Sequence, residues 1–133
     1  MLLNSNQLSE YVKESEFSKR AQIGIDLSVK SIQEILTKSV VYTDNTHIDP
    51  AGYVDVPLTM IDGKECWNLE PGVYSVTFNE GIKIPDNCAG IITHRSSLYR
   101  TGTMIKSPWW DPGYYCDNMN TTMEKETTMK WYI

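Results

Sequence analysis

Two stretches of the chain gather residue types that can handle a phosphorylated ligand. HRSSLYRTG, running from His94 to Gly102, sets Arg95 and Arg100 around the hydroxyls of Ser96 and Ser97. Guanidinium groups present planar forks of donors that match phosphate oxygens, and serine hydroxyls add compact donors, so this cluster suits a polyphosphate. The alternative for the same residues is a surface turn whose arginines pair with nearby carboxylates. Further on, WWDPGYYC places Asp111 at an Asp-Pro-Gly turn, with Tyr114 three residues later. A carboxylate held beside bound phosphates can orient a water, bind a sugar hydroxyl or help hold a divalent cation. Asp-Pro-Gly by itself is also a common turn.

Other chemistries find less support. The two histidines, His47 and His94, lie in different segments, and no HxxxH, HxE or Cys-His grouping forms a zinc ligand set, which disfavours zinc-dependent deamination. IDGKECW lacks the upstream glycine and the hydroxyl residue of a Walker loop. LEPGVYSVTF carries one acidic residue at a turn and reads as a solvated hairpin corner. A net charge of −5 leaves no broad basic face for polymeric nucleic acid, so phosphate binding must be local. Cys66, Cys88 and Cys116 are far apart and form no CxxC pair, the usage of reduced intracellular thiols. The opening MLLNSNQLSEYVKESEF has only two apolar residues after the initiator before polar ones intervene, so neither a signal peptide nor a membrane span is expected, and a cytoplasmic location is.

The elements that would position these residues follow from periodicity. Leu8, Tyr11 and Val12 recur at helical spacing between Ser5 and Phe17, with Ser5 or Asn6 available as a cap. AQIGIDLSVKSI alternates Ile23, Ile25, Leu27 and Val29 in strand period, and a second short helix is possible over 31–38. Residues 41–56 read as a loop with strand character near Tyr53 to Val56. Short strands are then expected in VDVPLTMI, ECWNL, VYSVTF, GIKIP, AGIITHR, GTMIKS and TTMKWYI, punctuated by Asp62-Gly63, Pro71-Gly72, Pro85-Asp86-Asn87 and Pro112-Gly113. Strands this short and frequent predict a mainly β chain, a barrel or sandwich with a helical N-terminal decoration, in a single domain over 1–133.

The order GIDL, then GIKIPDNCAGIITHRSSLYRTG, then DPGY resembles the dCTP deaminase and dUTPase superfamily from about the N-terminus to Tyr114. Gln22, Asp26 and Leu27 occupy the places of the deaminase branch's Gln-containing strand and Asp-Leu pair. Arg95 to Gly102 match Arg-Ser-Ser-Leu-x-Arg-x-Gly without a gap, the spacing of the deaminase-like branch rather than of simple dUTPases. The resemblance implies a distorted β-barrel or jelly-roll of the β-clip kind, assembled as a homotrimer with nucleotide sites between subunits. It implies a pyrimidine deoxynucleoside triphosphate as ligand, with magnesium on its phosphates.

On the same resemblance, Arg95 and Ser96 contact the triphosphate and Ser97 supports their turn. Asp26 stands where a carboxylate helps organise the metal and its water shell. Asp111 stands where a carboxylate contacts the deoxyribose hydroxyl and orients the attacking water, and Tyr114 matches the aromatic under the sugar that excludes a ribose 2'-hydroxyl. Arg100, a catalytic candidate beside Asp111, matches a residue that supports deamination. Counted from Asp111 without a gap, the deaminases' proton-shuttling glutamate falls on Thr121, whose hydroxyl is neither a competent base nor an accessible acid near neutral pH; Glu124 would take that place only with a three-residue insertion. Cys116 replaces a family glycine, where a backbone needing unusual torsions is expected to accept cysteine poorly. The closing TTMKWYI lacks the family's Gly-x-x-x-Gly-Gln element and its tail over the phosphates, which is expected to leave sheet edges exposed. The presence together of both acidic positions, Asp26 and Asp111, and of the whole Arg-Ser-Ser-Leu turn favours hydrolysis of dUTP to the monophosphate and pyrophosphate, with an inactive nucleotide-binding or regulatory relative, a dCTP deaminase, or a structural trimeric module as alternatives.

Overall fold

The computed structural model describes residues 1–36, 40–44, 48–49 and 52–132; His47, weighed above as a ligand, lies outside them. In chain order the elements are α1 (Ser5–Leu8), β1 (Val12–Lys13), β2 (Lys19–Arg20), β3 (Ile25–Asp26), β4 (Val29–Ile35), β5 (Val40–Val41), β6 (Ile48–Asp49), β7 (Tyr53–Asp55) and β8 (Thr59–Ile61). They continue with β9 (Lys64–Leu69), β10 (Gly72–Phe78), β11 (Gly81–Lys83), α2 (Ser96–Tyr99), β12 (Thr103–Lys106), β13 (Tyr115–Cys116), β14 (Asn120–Lys125) and β15 (Met129–Tyr132). The chain is mainly β, as expected. Its strands fall into five sheets, ordered β1-β11-β13, β12-β14-β10-β4-β7, β15-β9-β8, β2-β3 and β5-β6, and none of these closes into a barrel among the described residues. Two compact units divide the chain; four of the five cuts between them fall inside β4, β10, β12 and β14, and the fifth lies between Thr93 and His94.

The first unit comprises Met1–Ser31, Val76–Thr93 and Ile105–Thr121. Helix α1 starts on a reciprocal cap: Asn4 Oδ1 accepts from Gln7 N at 2.9 Å, and Gln7 Oε1 accepts from Asn4 N at 3.0 Å. It ends at Leu8 rather than near Phe17. The carbonyl of Tyr11 accepts from Lys83 N at 2.8 Å, and Val12 pairs with Ile82, so sheet pairing takes over from the helical ladder. Burying Val12 and Ile82, each under a tenth exposed, is worth about 1.5–3 kcal/mol per side chain, more than a few residues of helix propensity. Ile82 also faces Cys116 across β11 and β13. AQIGIDLSVKSI is not one strand: Gly24, at φ +85°, turns β2 back into β3, and β4 begins afterwards. The strand expected in AGIITHR reduces to a bridge between Gly90 and Trp110, where a Cβ on Gly90 would lie 2.6 Å from Ile84 Cδ1.

The second unit comprises Ile32–Ser75, His94–Met104 and Thr122–Ile133. β4 runs to Ile35 in place of the short helix over 31–38, and Gln33 Nε2 donates to Asp55 Oδ1 at 2.9 Å across the β4–β7 pair. The Asp62-Gly63 turn has φ of +53° and +75°, the two positive values that a two-residue hairpin needs, and it joins Ile61 to its partner Lys64. β9 is the middle strand of its sheet, which explains why Cys66, Trp67 and Leu69 are all buried. The unexpected element is β14, in which Thr121, Met123 and Lys125 alternate inward.

Candidate functional site

The Arg-Ser-Ser turn is built on α2. Arg95 precedes it in extended conformation (φ −74°, ψ 154°) and makes no side-chain cap, so the first turn leaves its polar side chains outward. Arg95, Ser96, Ser97 and Arg100 are all exposed, while Leu98 is half-buried and anchors the turn. The helix closes through Arg100 N to Ser96 O at 3.1 Å and Gly102 N to Tyr99 O at 3.1 Å, and Gly102 takes φ +71°. That left-handed residue ends the helix, and a side chain there would lie 3.1 Å from Thr127 Oγ1. His94 stacks on Tyr99 at 5.3 Å between ring centroids, and its buried Nδ1 has no hydrogen-bond partner among the described residues.

Asp111 and Tyr114 share one tight turn. Tyr114 N donates to Asp111 O at 3.1 Å, Pro112 occupies the second position and Gly113, at φ +83°, the third, which is the residue order of a type II turn. Ile84 clamps it from below: Gly113 N donates to Ile84 O at 3.0 Å and Ile84 N to Tyr114 O at 2.8 Å. The buried Trp110, bonded through its backbone to Gly90, stacks on the Tyr114 ring at 5.8 Å. The Asp111 carboxylate is therefore exposed on a backbone that cannot move freely. The charge of Cys116 beside it, with partial burial and a bond to that sulfur, pushes the Tyr114 phenol above its ordinary range.

Asp26 lies half-buried in β3, opposite Lys19 of β2. The chain just after it is held by Glu80, which is fully buried. Its Oε1 accepts from the hydroxyls of Ser15, Ser18 and Ser28 at 2.7, 2.8 and 2.8 Å, and its Oε2 accepts from Ser28 N at 3.0 Å. Burial pushes this carboxyl up, but the Ser28 amide and the three hydroxyls outweigh it, and the net position is below the ordinary carboxylate value. The described residues contain no group of three His, Cys, Asp or Glu placed to hold a metal. A magnesium ion that arrives on phosphate oxygens and keeps most of its water needs only one or two carboxylates, so Asp26 alone fits that mode.

Arg95, Ser96, Ser97 and Arg100 thus share one turn of the second unit, Asp111 and Tyr114 one turn of the first, and Asp26 a separate strand of the first. One expectation changes. Cys116 is not among the residues with positive φ; it lies extended in β13, and the tight approach is made from its partner strand, where a Cβ on Gly81 would come 2.6 Å from the Cys116 carbonyl oxygen. Thr121 is buried, its hydroxyl donating to Lys106 O at 3.3 Å, and strand alternation puts Glu124 on the opposite face of β14. Sequence reading assigned nothing to Glu80 or Lys125, both buried; alternation through Thr121 and Met123 was the available signal for Lys125.

A mainly β chain with an outward Arg-Ser-Ser turn and a clamped Asp-Pro-Gly-Tyr turn is of the dCTP deaminase and dUTPase class. The chain belongs to the dCTP deaminase-like family, whose model matches residues 3–130. A probable deoxyuridine 5'-triphosphate nucleotidohydrolase of Methanosarcina mazei is 35% identical over 123 residues, covering 85% of this chain and 70% of the relative. The deoxyuridine 5'-triphosphate nucleotidohydrolase of Methanocaldococcus jannaschii is 34% identical over 114 residues, covering 86% and 72%. A probable enzyme of the same name from Aeropyrum pernix is 37% identical over 95 residues, covering 68% and 54%.

Proposed function

We propose that this chain hydrolyses dUTP to dUMP and pyrophosphate. The observation that carries the reading is the joint retention of an outward, uncapped Arg-Ser-Ser turn and of Asp111 on a backbone fixed by Pro112, Gly113 and Ile84. The names of the archaeal relatives support it. Arg95 and Ser96 bind the triphosphate, Ser97 supports their turn, and Arg100 adds positive charge where negative charge grows in the transition state. Asp111 accepts a hydrogen bond from the attacking water and aims it at the α-phosphorus; as the new P–O bond forms, the bond from the α-phosphorus to the α,β-bridging oxygen breaks, pyrophosphate leaves with that oxygen, and the water's proton passes by way of Asp111 to solvent. Tyr114 lies beneath the deoxyribose and excludes a 2'-hydroxyl. Magnesium bound to the phosphates supplies charge neutralisation, and Asp26 orders its water shell. The functional unit is the whole of residues 1–133 acting as one nucleotide-binding domain, in a homotrimer, in the cytoplasm. No helix among the described residues is long and apolar enough to cross a membrane.

Chromatographic product analysis with dUTP, dCTP and dTTP plus magnesium tests this reading. Pyrophosphate and dUMP from dUTP are expected. Binding of nucleotide without product would assign a regulatory role instead, and no binding of any nucleotide would eliminate both. dCTP is included for a specific reason: β14 turns Thr121 inward and sets the half-buried Glu124 on its other face, so release of ammonia would assign acid–base work to Glu124.

A further inference from the structure

Lys125 is 2% exposed, and no ion pair is made to it among the described residues. Its Nζ donates to the Thr101 carbonyl and to Thr103 Oγ1, both at 2.7 Å, with Thr101 Oγ1 at 3.5 Å and Met129 Sδ at 3.7 Å beyond them. Burial pushes the amine below its ordinary range. A buried ammonium surrounded by neutral acceptors is a costly way to fill space, and apolar side chains of similar volume commonly serve stability as well or better. Yet Lys125 stands in line with Thr121 and Met123 on the inward face of β14, where a methionine or leucine would continue the pattern.

What the ammonium touches gives the reason. Thr101 follows α2 directly, and its hydroxyl donates to Leu98 O at 2.7 Å while its amide donates to the same oxygen at 2.9 Å. Thr103 Oγ1 lies 2.9 Å from Thr101 Oγ1, so a hydrogen-bonded chain runs from Nζ through two hydroxyls to the carbonyl of Leu98, the leucine of the Arg-Ser-Ser-Leu turn. Thr127 Oγ1 donates to the Thr101 carbonyl at 2.7 Å, and Glu126 N to Gly102 O at 2.9 Å, which fastens the exit of α2 at a second point. We infer that Lys125 is a positioning residue for the phosphate-binding turn: its ammonium fixes the exit of α2, so that Ser96, Ser97 and Arg100 meet the triphosphate in one geometry. The inference rests on the nucleotide-binding role assigned above to that turn.

Lys125→Met tests it with little structural damage. The Thr101 carbonyl keeps Thr127, and the Thr103 hydroxyl keeps Thr101, so neither acceptor is orphaned by the substitution. The expected result is an unchanged or raised melting temperature together with a KM for dUTP about tenfold higher and a kcat within about twofold, the signature of lost ground-state positioning. Thr103→Val should move KM the same way, and Thr103→Ser, which keeps the hydroxyl, should restore it. Amide hydrogen exchange at Tyr99 to Gly102 supplies a second readout that needs no turnover, and it should quicken in Lys125→Met and Thr103→Val only. A wild-type protein that leaves dUTP intact would defeat the hydrolase reading, and the exchange data would still decide the clamp. Unchanged exchange in both variants, or active variants with wild-type KM, would overturn the inference.

Discussion

Replacing Glu80 by glutamine removes one charge and almost no volume, so its consequence can be worked from the hydrogen bonds alone. The carboxylate accepts four of them, three from serine hydroxyls and one from the Ser28 amide, in a fully buried site. Bonds to a charged acceptor contribute about 1.5–3 kcal/mol against about 0.5–1.5 for neutral ones, so the three hydroxyl bonds together weaken by about 3 kcal/mol. With the NH2 group turned to the Ser28 N–H that amide loses its acceptor, and with it turned to the hydroxyls their protons lose theirs; either way buried donors are left to find other partners, at a further cost of about 1–3 kcal/mol. Neutralisation recovers part of the penalty for burying the ion, which amounts to several kcal/mol. The balance is a loss of about 2 kcal/mol, or about 6–10 °C in melting temperature for a chain of this size.

The pH dependence fixes the sign independently. Because the folded-state value lies below the ordinary 4.5, the contribution of Glu80 is fully present above 4.5 and is lost as the pH falls through the folded value. Thermal melts of both proteins from neutral pH down the acid limb should therefore show a gap that is widest near neutrality and narrows in acid. A variant that melts with the wild type at neutral pH, or a gap that stays constant into acid, would refute this account of the Ser15–Ser18–Ser28–Glu80 cluster.

Two further outcomes follow from the same geometry. Gly81→Ala should lose about 3 kcal/mol or more and accumulate poorly, because its Cβ would sit 2.5 Å from the Asp117 carbonyl oxygen and 2.6 Å from that of Cys116, both backbone atoms; denaturant unfolding measures it. Chelation of magnesium should abolish turnover of dUTP while leaving the melting curve of the nucleotide-free protein unchanged, since no described cluster of three ligands holds a metal by itself; calorimetry and the product assay check the two halves.

Much of the architecture was legible because apolar alternation and turn pairs coincide. Asp62-Gly63 forms the hairpin that its composition predicts, Pro112-Gly113 forms the turn that carries Asp111, and β9, β10 and β11 follow their apolar residues. The N-terminal helix was overextended because Leu8, Tyr11 and Val12 satisfy a helical period as well as they satisfy a turn followed by a paired strand; only the partner Ile82 decides between them. β14 was passed over because its inward positions are held by Thr121 and Lys125, whose types read as solvent-facing. The structural part of Glu80 is not legible in sequence, since its partners are three serines distant along the chain. The residues of the Arg-Ser-Ser and Asp-Pro-Gly turns were legible as chemical types, whereas the polar groups that hold strands and turns in place were not, because their roles depend on burial.

The most direct test of the proposed chemistry is turnover of dUTP in 18O-labelled water with magnesium, using the wild type and Asp111→Asn. Attack at the α-phosphorus, directed by Asp111, predicts one labelled oxygen in dUMP and none in pyrophosphate, and an Asp111→Asn protein that binds dUTP with a rate reduced by about 10²–10⁴. Label appearing in pyrophosphate, or an asparagine variant as fast as the wild type, would contradict it.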